Sequence, residues 1–139
     1  MDGKPIDLLV IETLLKRVWG DTSNLSHEQF IVAKDDDKLI GCVRIKKLDK
    51  NCLELASLAV LEEYRGKRIG SRLVEELLKN EKGRPVYILC FKEREHFYTT
   101  LGFSMMASNV LPNILKKEYD RVFDLLKNQN KEIMAMIYA

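Results

Sequence analysis

Apolar residues recur at three- and four-residue steps over Ile6–Trp19, at Leu8, Ile11, Leu15 and Val18, which predicts an amphipathic helix. Gly20 is placed to cap it. Asp21–Gln29 is polar and predicts a loop with one short turn. The period then shortens to two. Gln29–Ala33 and Lys38–Lys47 carry β-branched residues and predict a hairpin around the turn Lys34–Lys38. After a second turn at Leu48–Asn51, Cys52–Val60 is apolar except at Glu54 and Ser57. So apolar a strand is expected to be central and covered on both faces.

Leu61–Gly66 breaks the pattern. Arg68–Lys79 predicts a helix with Ile69, Leu73, Val74, Leu77 and Leu78 on one face. Gly83 and Pro85 precede a strand at Val86–Phe91, so residues 52–91 read as a right-handed strand–helix–strand crossover with a parallel pair. Glu93–Leu101 predicts a short helix stopped by Gly102, and Phe103–Ala107 a brief strand. Asn109 and Pro112 open a further helix with Ile114, Leu115, Val122, Phe123, Leu125 and Leu126 as its apolar positions. Ile133–Tyr138 is the last strand, and an exposed last strand would offer pairing between two copies, a route to a homodimer. With no repeat, low-complexity segment or linker, residues 1–139 predict a single α/β domain with a mixed sheet.

Composition narrows the function. The chain has 139 residues, 46% hydrophobic and 32% charged, an ordinary globular balance. A net charge of +2 is too small for the basic surface that nucleic acid demands, so no nucleic-acid partner is expected. Two local basic clusters stand out, Arg44–Lys47 and Arg65–Arg68. The first reads as a solvated face and the second as a site for one phosphate-rich small molecule. Cys42, Cys52 and Cys90 each sit in an apolar stretch, which favours reduced core thiols in a cytoplasmic protein. None has metal-ligand spacing and His27 lies far from His96, so no metal site is expected. The first residues do not form a secretory signal and no apolar run reaches membrane-spanning length, so no membrane partner is expected either.

The segment Val60–Ser71 carries the most chemistry. It follows a strand and opens a helix, a junction that leaves backbone N–H groups unpaired at the positive end of the helix dipole. Anions bind such ends. Gly66 and Gly70 allow close approach to a phosphate, and Arg65, Lys67 and Arg68 add positive charge. A glycine turn with surface charges would show the same spacing. Neither the P-loop pattern nor Gly-x-Gly-x-x-Gly is present.

The run Leu58-Ala-Val-Leu-Glu-Glu-Tyr-Arg-Gly-Lys-Arg-Ile-Gly-Ser-Arg-Leu73 resembles the acetyl-CoA motif of the GNAT superfamily of N-acetyltransferases, Arg/Gln-x-x-Gly-x-Gly/Ala after a strand ending in an apolar triplet. Phe97-Tyr-Thr-Thr-Leu-Gly-Phe103 resembles the family's second segment, Phe-Tyr-x-x-x-Gly-Phe, and the element order from about residue 29 to 106 is similar too. Three departures stand out. Arg68 replaces the motif's middle glycine, Phe91 and Arg94 stand where many relatives have Asn and Ala, and the usual first strand is missing before the first helix. Leu111-Pro112 and the ending Lys131–Tyr138 resemble small N-acetylglutamate synthase-like members. The resemblance implies a mixed, mostly antiparallel twisted sheet with a central parallel strand pair and flanking helices. It implies acetyl-CoA as co-substrate, its pyrophosphate on Arg65, Gly66, Lys67, Arg68, Ile69, Gly70 and Ser71. Backbone groups of Leu58, Ala59 and Val60 would pair with its pantetheine arm.

Acyl transfer to an amine needs a base for the amine and an acid for the leaving thiolate. Glu54 is the only carboxylate inside an apolar strand. Burial would raise its pKa toward that of a working base, whereas a place on an open sheet face would make it a surface glutamate. Tyr98 is the acid candidate, a phenol protonated at neutral pH, against the alternative of a core aromatic beside Phe97. Cys90 reads as a buried thiol rather than a nucleophile, and His96 as a surface residue. The expected function is acetyl transfer from acetyl-CoA to a primary amine. The alternatives are a non-catalytic acyl-CoA-binding or sensor module and an unrelated phosphate-ligand binder. The acceptor, a small-molecule or peptide amine, is expected against Gly20–Glu28, the hairpin strands and Ser104–Lys131. Arg44 there suits an acidic acceptor, and Glu54 with Asp35–Asp37 a basic one.

Overall fold

The computed structural model describes residues 1–17 and 24–139. Six strands form one sheet in the order β1-β2-β3-β4-β6-β5, with β1 at Phe30–Asp35, β2 at Lys38–Asp49, β3 at Cys52–Val60, β4 at Val86–Phe91, β5 at Ser104–Met106 and β6 at Ile133–Tyr138. The helices are α1 (Leu8–Arg17), α2 (Ile69–Asn80), α3 (Glu95–Thr100) and α4 (Asn113–Leu126). β1–β2, β4–β6 and β5–β6 pair antiparallel, and among the described residues β3 and β4 form the one parallel pair. This is the mixed, mostly antiparallel sheet expected.

The chain divides into two compact units, residues 1–46 with 55–82, and residues 47–54 with 83–139. In the first, Ile11, Leu14 and Leu15 of α1 pack with Phe30, Val32, Leu39, Cys42 and Ala59. The α1 stripe is thus carried by Leu14 as well as the expected Ile11 and Leu15, while Leu8 is half-buried. Val18 and the expected Gly20 cap lie outside the described residues. The amphipathic face of α2 is buried through Leu73, Val74, Leu77 and Leu78, as its periodicity requires. Asp7 is buried before α1, where its carboxylate accepts from the Lys4 backbone N–H at 2.9 Å and faces Lys34 Nζ at 3.2 Å. Asp2 bridges Ile31 of β1, and the Gly3 N–H donates to the Phe30 carbonyl at 2.9 Å.

In the second unit, Cys52, Leu111, Leu115 and Ala135 form a buried cluster flanked by Tyr87, Leu89 and Tyr119. Of the apolar positions of α4, Leu115 and Leu126 are buried, while Ile114, Phe123 and Leu125 are exposed. One expectation fails here. The last strand, β6, is not an edge, since β4 and β5 flank it on either side. β4 pairs with it along Ile133–Tyr138 and β5 with Ala135–Ile137, so it is not the free edge that the homodimer route assumed.

Candidate functional site

The turn between β3 and α2 is built from a 3-10 turn at Glu62–Tyr64 followed by two left-handed residues, Gly66 at φ 80° and Arg68 at φ 65°. Arg68 occupies the N-cap position of α2 and supplies no side-chain hydrogen bond to the helix end. The helix therefore begins at Ile69, one residue later than predicted. A Cβ on Gly66 would meet nothing within 4 Å, so the glycine is needed for its dihedral rather than for room among its neighbours. Arg65, Gly66, Lys67 and Arg68 are exposed, and Ile69, Gly70 and Ser71 are half-buried. An uncapped helix start, an open glycine and three cations suit a pyrophosphate.

Side chains brace this turn. Arg65 Nε donates to the Val60 carbonyl at 3.2 Å, folding the loop back onto the end of β3. The Tyr64 hydroxyl donates to Asp35 at 2.8 Å, and that bond, with its carboxylate, raises the phenol's pKa. Lys67 Nζ lies 5.4 Å from the Tyr64 ring centroid and Lys38 Nζ 5.6 Å, so one ring orients two ammonium groups. Beside the turn, Leu14, Arg17, Val60, Leu61, Glu62, Glu63 and Arg65 line a cavity of about 490 Å³. Its two cations and two carboxylates favour neither sign of acceptor.

The same unit holds Leu58, Ala59 and Val60, with Ala59 buried and the other two half-buried. Immediately before them Ser57 is buried at φ 60°, a left-handed residue inside a strand. Its Oγ accepts from Arg44 Nε at 2.9 Å, and its carbonyl accepts from the Cys42 thiol at 3.4 Å. Arg44 overturns the solvated-face reading of Arg44–Lys47, since it is 0% exposed. Its guanidinium also donates to Gln29 Oε1 at 3.2 Å and to the Asn24 carbonyl at 3.4 Å, over the Phe30 ring. The polar interruption at Ser57 was the visible trace of this arrangement in the sequence.

Glu54 and Tyr98 belong to the other unit. Glu54 is 5% exposed, which removes the reading of a glutamate on an open face. Tyr98 is equally buried, its ring edge-on to Phe97 at 4.9 Å and to Phe103 at 5.6 Å. Burial pushes its phenol above the ordinary range; Cys90 adds to the shift and Arg94 opposes it. The Cys90 thiol is pushed up to about 12, again chiefly by burial, which suits a structural thiol and not a nucleophile. His96 is exposed, as expected. Of the expected acceptor segments, residues 20–23 lie outside the described residues. Among the described residues no group of three or more His, Cys, Asp or Glu side chains is placed to hold a metal ion, and no helix is long and apolar enough to cross a membrane.

Residues 26–105, more than half of the chain, match the profile of the acetyltransferase (GNAT) domain. Over 86 residues the chain is 34% identical to an uncharacterized N-acetyltransferase of Chlorobaculum tepidum, covering 60% of this chain and 54% of that protein. The match thus spans about half the length of that curated relative. N-acetylglutamate synthase from Neisseria gonorrhoeae, complexed with coenzyme A and N-acetyl-glutamate, shares the fold with a TM-score of 0.79 at 18% identity, over 100% of this chain and 34% of that one. An aminoglycoside 6'-N-acetyltransferase complexed with coenzyme A does so with a TM-score of 0.67 at 21% identity, over 96% and 91%.

Proposed function

The chain belongs to the GNAT acetyltransferase family, and from that premise we propose that it transfers an acetyl group from acetyl-CoA to a primary amine. The observation that carries the reading is the turn before α2, where Gly66 and Arg68 take positive φ and the helix start has no side-chain cap. The backbone N–H groups of Ile69, Gly70 and Ser71 hold the pyrophosphate, with Arg65, Lys67 and Arg68 supplying counter-charge. Backbone groups of Leu58–Val60 pair with the amides of the pantetheine arm, and one N–H there polarises the thioester carbonyl. Removing one such donor typically costs ~2.7–4 kcal/mol of barrier.

The amine attacks the carbonyl carbon directly. A C–N bond forms, the C–S bond breaks, and no acyl-enzyme is made. Glu54 takes the proton lost by the amine, directly or through a water, and Tyr98 donates to the departing thiolate. Burial favours the protonated phenol, the form this step requires. The acceptor is a small-molecule or peptide amine. The glutamate product in one structural relative and the aminoglycoside of another mark the range from which candidates are drawn.

Isothermal titration with acetyl-CoA tests the reading, using the wild type and an Arg65→Ala/Arg68→Ala variant. Two exposed charges near phosphate are worth ~1–2 kcal/mol together, so the variant should bind about five- to thirtyfold more weakly. No saturable binding to the wild type at millimolar acetyl-CoA would sink the proposal. Binding without thiol release in the presence of free amino acids, polyamines, aminoglycosides or peptide N-termini would identify a non-catalytic acyl-CoA-binding or sensor module instead.

A further inference from the structure

We propose that Arg44 and Cys42 form a clamp on Ser57 that aims the peptide groups of Leu58–Val60 at the pantetheine arm of the cofactor. This rests on the acyl-CoA reading above. Ser57 holds φ 60°, which non-glycine residues rarely adopt, and it does so within β3 rather than in a turn. Such a residue interrupts the regular pleat and redirects the residues that follow, as a β-bulge does. Those residues are Leu58, Ala59 and Val60.

Both ends of Ser57 are held from β2. Arg44 donates to its Oγ at 2.9 Å and Cys42 to its carbonyl at 3.4 Å. The guanidinium is itself fixed, by Gln29 Oε1 at 3.2 Å, by the Asn24 carbonyl at 3.4 Å and by the Phe30 ring 5.6 Å away. At 0% exposure, filling space alone would favour an apolar side chain, because a buried cation carries a desolvation penalty. A rigid fork of donors is what arginine adds to that position. Arg44 and Cys42 are thus positioning residues; neither is assigned contact with the reacting atoms.

The test separates the two ends of the cofactor. The wild type, Ser57→Ala, Ser57→Gly and Arg44→Lys are titrated with CoA and with 3′-phospho-ADP, the nucleotide end of CoA without its pantetheine arm. The clamp predicts a much smaller loss of affinity for 3′-phospho-ADP than for CoA in the variants, because the phosphate turn meets the clamped segment only at Val60. CoA affinity should fall about tenfold in Ser57→Ala and Arg44→Lys, the worth of one or two amide hydrogen bonds. Ser57→Gly should lose less, roughly threefold, since glycine adopts positive φ without help. If Arg44→Lys does not fold, the two Ser57 variants carry the comparison. Equal losses of CoA and 3′-phospho-ADP would mean general structural damage and would overturn the clamp, as would unchanged CoA affinity in Ser57→Ala. A wild type that binds neither probe overturns the acyl-CoA reading itself.

Discussion

Cys42 offers a quantitative check on how tightly the β2–β3 contact is closed to water. Its thiol is 0% exposed, and burial pushes its pKa from 9.0 up to about 12, with the Ala59 backbone and Arg44 opposing. The folded state therefore favours the neutral thiol. Its contribution to stability is fully present below pH 9 and is lost as pH rises toward 12, because the unfolded chain releases this proton first. At pH 10 the loss from this group alone is on the order of 1 kcal/mol, against almost none at pH 8. Cys90 pulls in the same direction, so the wild-type slope alone does not isolate Cys42. The difference between wild type and Cys42→Ala does. Urea unfolding under reducing conditions should find the variant less stable at pH 8, through lost packing, and the gap narrower by roughly 1 kcal/mol at pH 10. An unchanged gap would mean that Cys42 meets solvent or a better anion partner, and the argument from burial would fail.

Replacing Tyr98 by Phe keeps the ring that packs on Phe97 and Phe103, so the thermal midpoint should barely move. If the hydroxyl protonates the thiolate, kcat should drop roughly 100-fold or more with the KM for acetyl-CoA preserved; an unaltered kcat would return Tyr98 to a purely structural role. Gly66→Ala meets no neighbour but must hold φ 80° with a side chain, a strain of about 1–2 kcal/mol. That corresponds to a midpoint lowered by roughly 3–8 °C in calorimetry, and an unchanged midpoint would show that the turn relaxes to another conformation.

The sequence was most legible where one periodicity governed a whole segment. The limits of β3, β4 and β6 and the buried face of α2 follow from period and composition, because each segment presents one kind of surface along its length, whereas β1 runs two residues into the expected turn, to Asp35. The two family segments were legible for a related reason, since each concentrates its signature in consecutive residues, at a strand–turn–helix junction in the first and a helix–turn–strand passage in the second. Arg44 was misread because Leu39–Arg44 is buried without interruption, so alternation says nothing about which side chains meet solvent. Its partners Asn24, Gln29 and Ser57 come from separate stretches, a pairing that no local pattern encodes. Along α4 the spacing identifies Phe123 and Leu125 as apolar but does not say whether another element covers them, and both are exposed.

Arg68 replaces the family's usual glycine yet keeps the left-handed backbone that glycine would supply. What this chain keeps at that position is thus a dihedral angle and not a residue type. A pattern written in letters scores this turn as broken, whereas one written in the sign of φ scores it as whole. Distant relatives whose turns carry Arg, Asn or Asp there would be passed over by the first and retained by the second.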